Sequence, residues 1–528
     1  MYTPLPIDAK PNIDYHTSPM ARGGLNLEAL PEMMSLEYAK KIINYIPFTH
    51  GAAVRKGLER VADRGITEGA TLFKYFRENV FIIGYGTTVE AYNMSTGTFT
   101  VIKNDFSAND KFGGNRYGEY FFVTNGVDKP HRIDKDLNIV EVVNAPICDD
   151  MVFIAARAVA ISLSTDETAV QISEIDDASN PPFATWSTGT SATDGGVVNY
   201  RNAGKARSCV PLGRAFVVFS DEGYFAFSVE QLDSAGTLKK FEMVQDYIQD
   251  YGGARGAITT PSGVFYLNEA GLWQLVQVGQ TDVPYSRQQK LSTVLLTDHY
   301  FKDVDFTNVD LTYDDVRKLV LVAYAQGSDV NNKVLGYKTS EKVEAVFEIE
   351  GWAINRFAKL GDYLYACSSN SGKIYECFKG WTDDGLPIGV EYAQEIPMKG
   401  LFAKRSMHEF YAKGFLSADT EIDVHMDIYD TEGAPFESKR INKWTAQRND
   451  NTSDGWGTAS WGKSAWGGDY DLSGMIESFD GCKPRINNFQ RMSVRFSASV
   501  KEPHIINWFS AKIRDKAPIR RRLMEKIT

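Results

Sequence analysis

The chain has 528 residues, of which 43% are hydrophobic, 24% charged and 12% aromatic. That is the make-up of an ordinary folded protein of several domains, which excludes disordered, collagenous and disulfide-stapled classes. A formal charge of −11 argues against a broad basic surface for gripping nucleic acid. Five cysteines (Cys148, Cys209, Cys367, Cys377, Cys482) include no C-x-x-C pair and are expected to be buried thiols in a reducing compartment.

The first 20 residues are polar and carry Pro4, Pro6, Pro11 and Pro19, unlike a secretory signal. The longest apolar passage, Met151 to Leu163, is broken by Arg157 and falls short of the roughly 18 residues a membrane helix needs, so no stable membrane insertion is expected. Residues 1–65 are expected to form an N-terminal arm with one helix for assembly or docking. The helix is predicted over Ser35 to Tyr45, where Leu36, Ala39, Ile42 and Ile43 recur at helical spacing, Ser35 caps the start and Pro47 ends the run. Gly51 to Gly65 comes next, mildly basic through Arg55, Lys56, Arg60 and Arg64 against Glu59 and Asp63.

From about Thr71 the pattern changes to short runs of Val, Ile, Phe, Tyr and Thr separated by Gly, Asn, Asp and Ser turns, the signature of strands and hairpins. An apolar strand, a turn and a second strand recur, with anchors at Phe81, Phe121, Phe153, Phe216, Phe265, Val320 and Leu364. Their mean spacing is about 47 residues, within the roughly 40–50 of a four-stranded propeller blade. The fold class predicted is therefore mainly β: a β-propeller of roughly five to seven blades over 66–388, with irregular β-sandwiches as the alternative. Residues 389–528 are expected to form a separate β-sandwich-like domain. It contains Gly455 to Gly468, where Trp456, Trp461 and Trp466 stand five residues apart among Gly and Ser, as an exposed contact loop or as rings packed on their own domain. The stretch Ala511 to Thr528 carries seven Lys or Arg, including Arg520, Arg521 and Arg522, against two acids.

Chemistry-bearing motifs are sparse. The seven histidines are scattered, with no H-E-x-x-H grouping, and neither a G-x-S-x-G elbow nor a phosphate loop occurs. Asp423, His425 and Asp427 share a strand face by alternation, which reads better as a solvated face than as a metal site. The acidic pairs Asp149–Asp150, Asp314–Asp315 and Asp383–Asp384 sit beside turns, where Asp bonds backbone amides, and do not supply two carboxylates facing across a site. Asn449 to Asp454 lacks the later Glu of a calcium loop. No catalytic residue, cofactor or metal is expected.

Three segments carry a family resemblance: Gly23-Gly24-Leu25-Asn26 followed by Asn44-Tyr45-Ile46-Pro47, Gly51 and Arg55-Lys56-Gly57; then Thr124-Asn125-Gly126-Val127-Asp128-Lys129-Pro130; then Gln249-Asp250-Tyr251-Gly252-Gly253-Ala254. In this order the chain resembles the tail nozzle proteins of short-tailed bacteriophages, also called tail tubular protein B. It departs from them at Lys56, where the family often has Pro. The resemblance implies a non-enzymatic structural protein of the virion tail, assembled in the host cytoplasm. Its protomers would form a ring, hexameric in this family, below the portal and adaptor, partnered by tail adaptor proteins and by fibres or spikes. Viral double-stranded DNA would pass without tight binding, since each Lys or Arg to phosphate contact adds affinity. Arg55, Lys56, Arg60, Arg64 and Arg520 to Arg522 then become candidate assembly contacts. The alternatives are a glycan-binding or glycan-cleaving propeller, and a peripheral tail protein touching fibres or the host surface through its Trp loop.

Overall fold

In the computed structural model the described residues are 13–18, 23–26, 37–49 and most of 51–515. Outside them lie 108–110, 177–181, 200–203, 233–237, 249–255, 279–284, 291–300, 397–404, 430–434, 446–474 and a few isolated positions. The protein is mainly β, and no helix occurs among the described residues. The chain divides into two compact units, one made of 59–335 and 352–377, the other of 1–58, 336–351 and 378–528.

The larger unit is a succession of small antiparallel sheets. The first holds Leu72–Arg77, Val80–Tyr85, Thr88–Asn93 and Thr98–Lys103, joined consecutively. The second runs from Gly113–Tyr117 to Ile139–Glu141, the third from Cys148–Ile154 to Gly196–Asn199 and the fourth from Ala206–Leu212 to Glu242–Ile248. A fifth spans Ala257–Thr260 to Tyr285–Lys290, and the sixth contains Val304–Asp314 and Leu319–Gln326. In the seventh, Ile354–Leu360, Tyr363–Ser368 and Lys373–Cys377 are joined by Leu58–Asp63, a strand from the opposite end of the unit's sequence.

From the first sheet to the fifth, each buries a face on the next. Leu72, Phe76 and Ile82 of the first meet Phe121, Val123 and Ile133 of the second, and Val159, Ile161 and Val170 of the third meet Phe216, Val218 and Phe225 of the fourth. The seventh returns to the first, with Tyr365, Cys367 and Ile374 against Phe73, Phe81 and Tyr92. The first strand of every sheet also touches the first strand of the next, and Ile354–Leu360 touches Leu72–Arg77, so the succession closes. Both faces of a middle strand are then buried, which explains fully buried strands such as Gly263–Asn268, apolar from Val264 to Leu267.

The other unit holds two larger sheets. Arg405–Ser417 lies between Met475–Cys482 and His504–Asp515, and the latter also pairs with Gly51–Val54 and Ile13–Ser18. In the second, Glu421–Tyr429 and Arg491–Val500 pair with each other, and Leu386–Glu395 lies beyond Arg491–Val500. Strict alternation along Glu421–Tyr429 turns Ile422, Val424, Met426 and Ile428 inward. Phe496 meets Phe410, Phe509 and Trp444 at ring-centroid distances of 6.2, 5.9 and 6.3 Å, an aromatic core between the sheets.

The helix expected over Ser35 to Tyr45 does not form. Ser35 and Leu36 lie outside the described residues, and the rest of the span belongs to three strands, Tyr38–Ala39, Lys41–Ile43 and Tyr45–Phe48. Asn44 has φ near 59°, a left-handed conformation that interrupts a helix and that Asn tolerates better than most residues. Lys41–Ile43 pairs antiparallel with residues 391–393 and parallel at Glu348, so partners more than 300 positions away override the local periodicity. Ala39, Ile42, Ile43 and Ile46 are buried as strand residues between neighbours, a pattern that over a short window mimics a helix.

Candidate functional site

The seven first strands of the larger unit surround an opening of about 240 Å³. Its polar lining comes from different sheets: Lys74, Asn115, Asp150, Arg207, Asp310 and Arg356. Most of these groups are committed to the protein itself. Arg356, 8% exposed, donates from Nε to the Thr71 carbonyl at 2.9 Å, from Nη1 to the Asn355 carbonyl at 2.7 Å and from Nη2 to Asn308 Oδ1 at 2.8 Å. One guanidinium thereby ties the seventh sheet to the first and the sixth. Asp310 accepts the Phe357 amide at 2.8 Å, Asp150 accepts from Asn115 at 3.3 Å and from the Met151 amide at 2.8 Å, and Arg207 pairs with Asp221 at 2.5 Å. Gly113 lets the second sheet approach closely, since a Cβ there would stand 2.3 Å from the Asp149 carbonyl. Chemically the opening holds fixed, compensated dipoles.

The sequence-nominated cations fall in different places. Arg55 is fully buried and bonded in its own chain: Nε to Asn44 Oδ1 at 2.8 Å, Nη1 and Nη2 to the Asp383 carboxylate at 2.9 and 2.6 Å, and Nη2 to the Glu350 carbonyl at 2.9 Å. Those partners come from all three segments of the smaller unit, so Arg55 is an internal pin. Lys56 is exposed, 5.8 Å from the Trp381 ring centroid, and Arg60 is exposed beside Asp63 at 3.4 Å. Arg64 grips the buried Glu90 with two 2.9 Å bonds. Burial pushes the Glu90 carboxyl up, but bonds from Arg64 and Tyr85 outweigh it and hold the group below its usual range. The Arg64 amide also bonds the Gly372 carbonyl, so this residue fastens the closure between the seventh sheet and the first. Arg64→Ala is expected to cost about 2–3 kcal/mol by leaving a buried carboxylate without its ion-pair partner. The loss should be read as faster amide exchange in Leu58–Asp63 and Thr88–Asn93. Arg520, Arg521, Arg522, Trp456, Trp461 and Trp466 lie outside the described residues.

The remaining motifs resolve into local structure. Asn125 Oδ1 accepts the amides of Val127 and Asp128 at 3.1 and 2.7 Å, and Gly126 takes φ near 76°, so Thr124 to Pro130 is a side-chain-capped turn. Asp314 Oδ1 likewise caps the amides of Val316 and Arg317. On the Asp423, His425, Asp427 face each carboxylate is met by an arginine, Arg440 at 2.9 Å and Arg495 at 2.9 Å. Among the described residues no cluster of three His, Cys, Asp or Glu is placed to hold a metal ion, and no helix is long and apolar enough to cross a membrane. All five thiols are free, and burial pushes that of Cys367 up to about 12. Sequence reasoning missed Arg356, Asn308 and Asp310, which have no local signature because their partners belong to other sheets.

No family model matches the chain, and no curated protein matches it. Solved structures that resemble it include a chain from a mitotic checkpoint complex, 9% identical with a TM-score of 0.39, covering 63% of this chain and 98% of that one. Another is the computationally designed Ika8 protein, 9% identical with a TM-score of 0.36, covering 61% and 100% respectively. These likenesses are too distant to bear on the argument.

Proposed function

We propose that the chain is a structural assembly protein, a tail nozzle or hub of the short-tailed phage kind, whose larger unit is a seven-bladed β-propeller. The blade count rests on seven successive sheets whose first strands touch in a closed cycle, with Leu58–Asp63 completing the last sheet from the other end of the sequence. Joining the ends in one sheet removes the free edge that an open succession would expose.

The observation that carries the functional reading is the state of the axial opening. Arg356 and its partners staple the strands around it, and the charges lining it are largely spent on neighbours. An opening of about 240 Å³ cannot pass a duplex whose major groove alone is about 12 Å wide. A conduit built from this protein therefore runs between copies in a ring, hexameric as the family resemblance implies, beneath adaptor proteins in the virion tail. The net charge of −11 suits a wall that DNA passes without sticking. The rival reading, a glycan-binding propeller, draws on the polar lining of the same opening.

Light scattering of the purified protein, alone and mixed with tail components, together with negative-stain imaging, tests the proposal. Particles of one fixed multiple of the 59.0 kDa chain with a central hole are the expected result. A monomer under every condition would reject the ring and favour the glycan reading.

A further inference from the structure

The smaller unit contains a cavity of about 510 Å³ at the ends of three strands, Glu421–Tyr429, Pro435–Thr445 and Arg491–Val500. Its ionisable lining is Asp419, Glu421, Asp423 and Glu502 against Lys443 and Lys501, acidic by two charges. Glu421 pairs with Lys443 and Asp423 with Arg440. Among the described residues the carboxylates of Asp419 and Glu502 have no ion pair. A second observation is independent of charge: Thr420 lines the cavity, is 3% exposed, and its hydroxyl has no hydrogen-bond partner. A buried hydroxyl without a partner is unfavourable, so a donor supplied from outside would be favoured there.

The sequence holds one segment of matching chemistry. Residues 516–528 carry Lys516, Arg520, Arg521, Arg522 and Lys526 against Glu525 and lie outside the described residues. Guanidinium groups fit this cavity because their planar forks bond carboxylates in pairs and still donate to a hydroxyl. The point from which Arg520 to Arg522 are tethered, Asp515, lies at the far end of a strand from the cavity of its own chain. The strand His504–Asp515 begins beside Glu502 and carries the chain roughly 36 Å away at about 3.3 Å per residue. From Asp515 to Arg522 is seven residues, with a reach of about 25 Å at most.

We propose that Arg520 to Arg522 of one copy dock into the Asp419, Thr420 and Glu502 cavity of another. The contact joins two different surfaces, so repetition generates a ring when the rotation closes. The inference rests on the ring reading above and gives it a specific joint.

The test uses the full chain carrying Arg520→Glu, Arg521→Glu and Arg522→Glu, so that no copy fills another's cavity, titrated with a fluorescent synthetic peptide of residues 516–528. Saturable binding is expected, weakening at least tenfold between 50 and 300 mM salt. Adding Asp419→Lys and Glu502→Lys to the receptor should weaken it at least tenfold again, while a peptide bearing Glu at positions 520 to 522 regains binding to that receptor. Both cavity substitutions lie outside the core, and an unchanged melting temperature verifies folding. Absence of saturable binding, or binding indifferent to the cavity substitutions, overturns the proposal. In that event a ring still seen by light scattering leaves the assembly reading standing, so the two fail separately.

Discussion

Replacing Arg55 by Ala is expected to destabilise the smaller unit by about 3–5 kcal/mol, the usual result of removing one member of a buried ion pair. The size reflects the groups left behind. Asp383 keeps its charge in a site where it is largely sheltered, its side chain 14% exposed, and the Glu350 carbonyl and Asn44 Oδ1 each lose a charged donor. Lys is not expected to rescue the loss, since one ammonium cannot reproduce five contacts made by a planar fork. Arg55→Met combined with Asp383→Leu should cost clearly less than Arg55→Ala alone, because the stranded charge disappears with its partner. Hydrogen exchange is the measurement. Protection should fall in Tyr45–Phe48, Gly51–Val54 and Val343–Ile349 while the sheets of the larger unit hold theirs. Equal loss in both units would show that Arg55 is no local pin.

Acid is expected to weaken the same unit through His504. Its Nε2 lies 2.7 Å from the Tyr45 hydroxyl, both residues are buried, and desolvation pushes the imidazole down to about 3 from an ordinary 6.5. As pH falls below about 6.5 the unfolded chain takes up a proton that the folded chain refuses until pH approaches 3. The stabilisation is complete above the unfolded pKa and is lost progressively across that window. Between pH 7 and pH 4 this one residue should remove on the order of 3 kcal/mol. His504→Gln keeps a polar partner for Tyr45 without titrating, so its denaturant midpoint should change less with pH than the wild type's. Parallel pH profiles for the two proteins would assign the acid sensitivity elsewhere.

Much of the β architecture is legible from residue patterns. Each of the seven anchors lies on its own sheet, and six sit on the second strand, as Phe81 does on Val80–Tyr85 and Leu364 on Tyr363–Ser368. Phe153 is the exception, on the first strand Cys148–Ile154, which accounts for the unequal spacings of 32 and 63 residues around it. Runs of apolar and aromatic residues between turn formers carry this information because a strand buried on both faces must be apolar throughout. The candidate site is much less legible. Arg55 reads in sequence as part of a mildly basic stretch, and nothing near it announces that Asp383, 328 positions away, will bury it.

Residue chemistry acting over short stretches set the β class of the protein. Strand-forming residues and turn chemistry at Asn125 to Pro130 act over a few residues, where the chain's chemistry is its own context. Only the assembled fold settled that Lys41–Ile43 is a strand, that Leu58–Asp63 closes a sheet begun at Ile354, and that Arg356 ties that sheet to Thr71 and Asn308. In each case the deciding free energy comes from backbone pairing or charge compensation between segments hundreds of residues apart. Such pairing is stabilising only once the fold has brought both partners out of water.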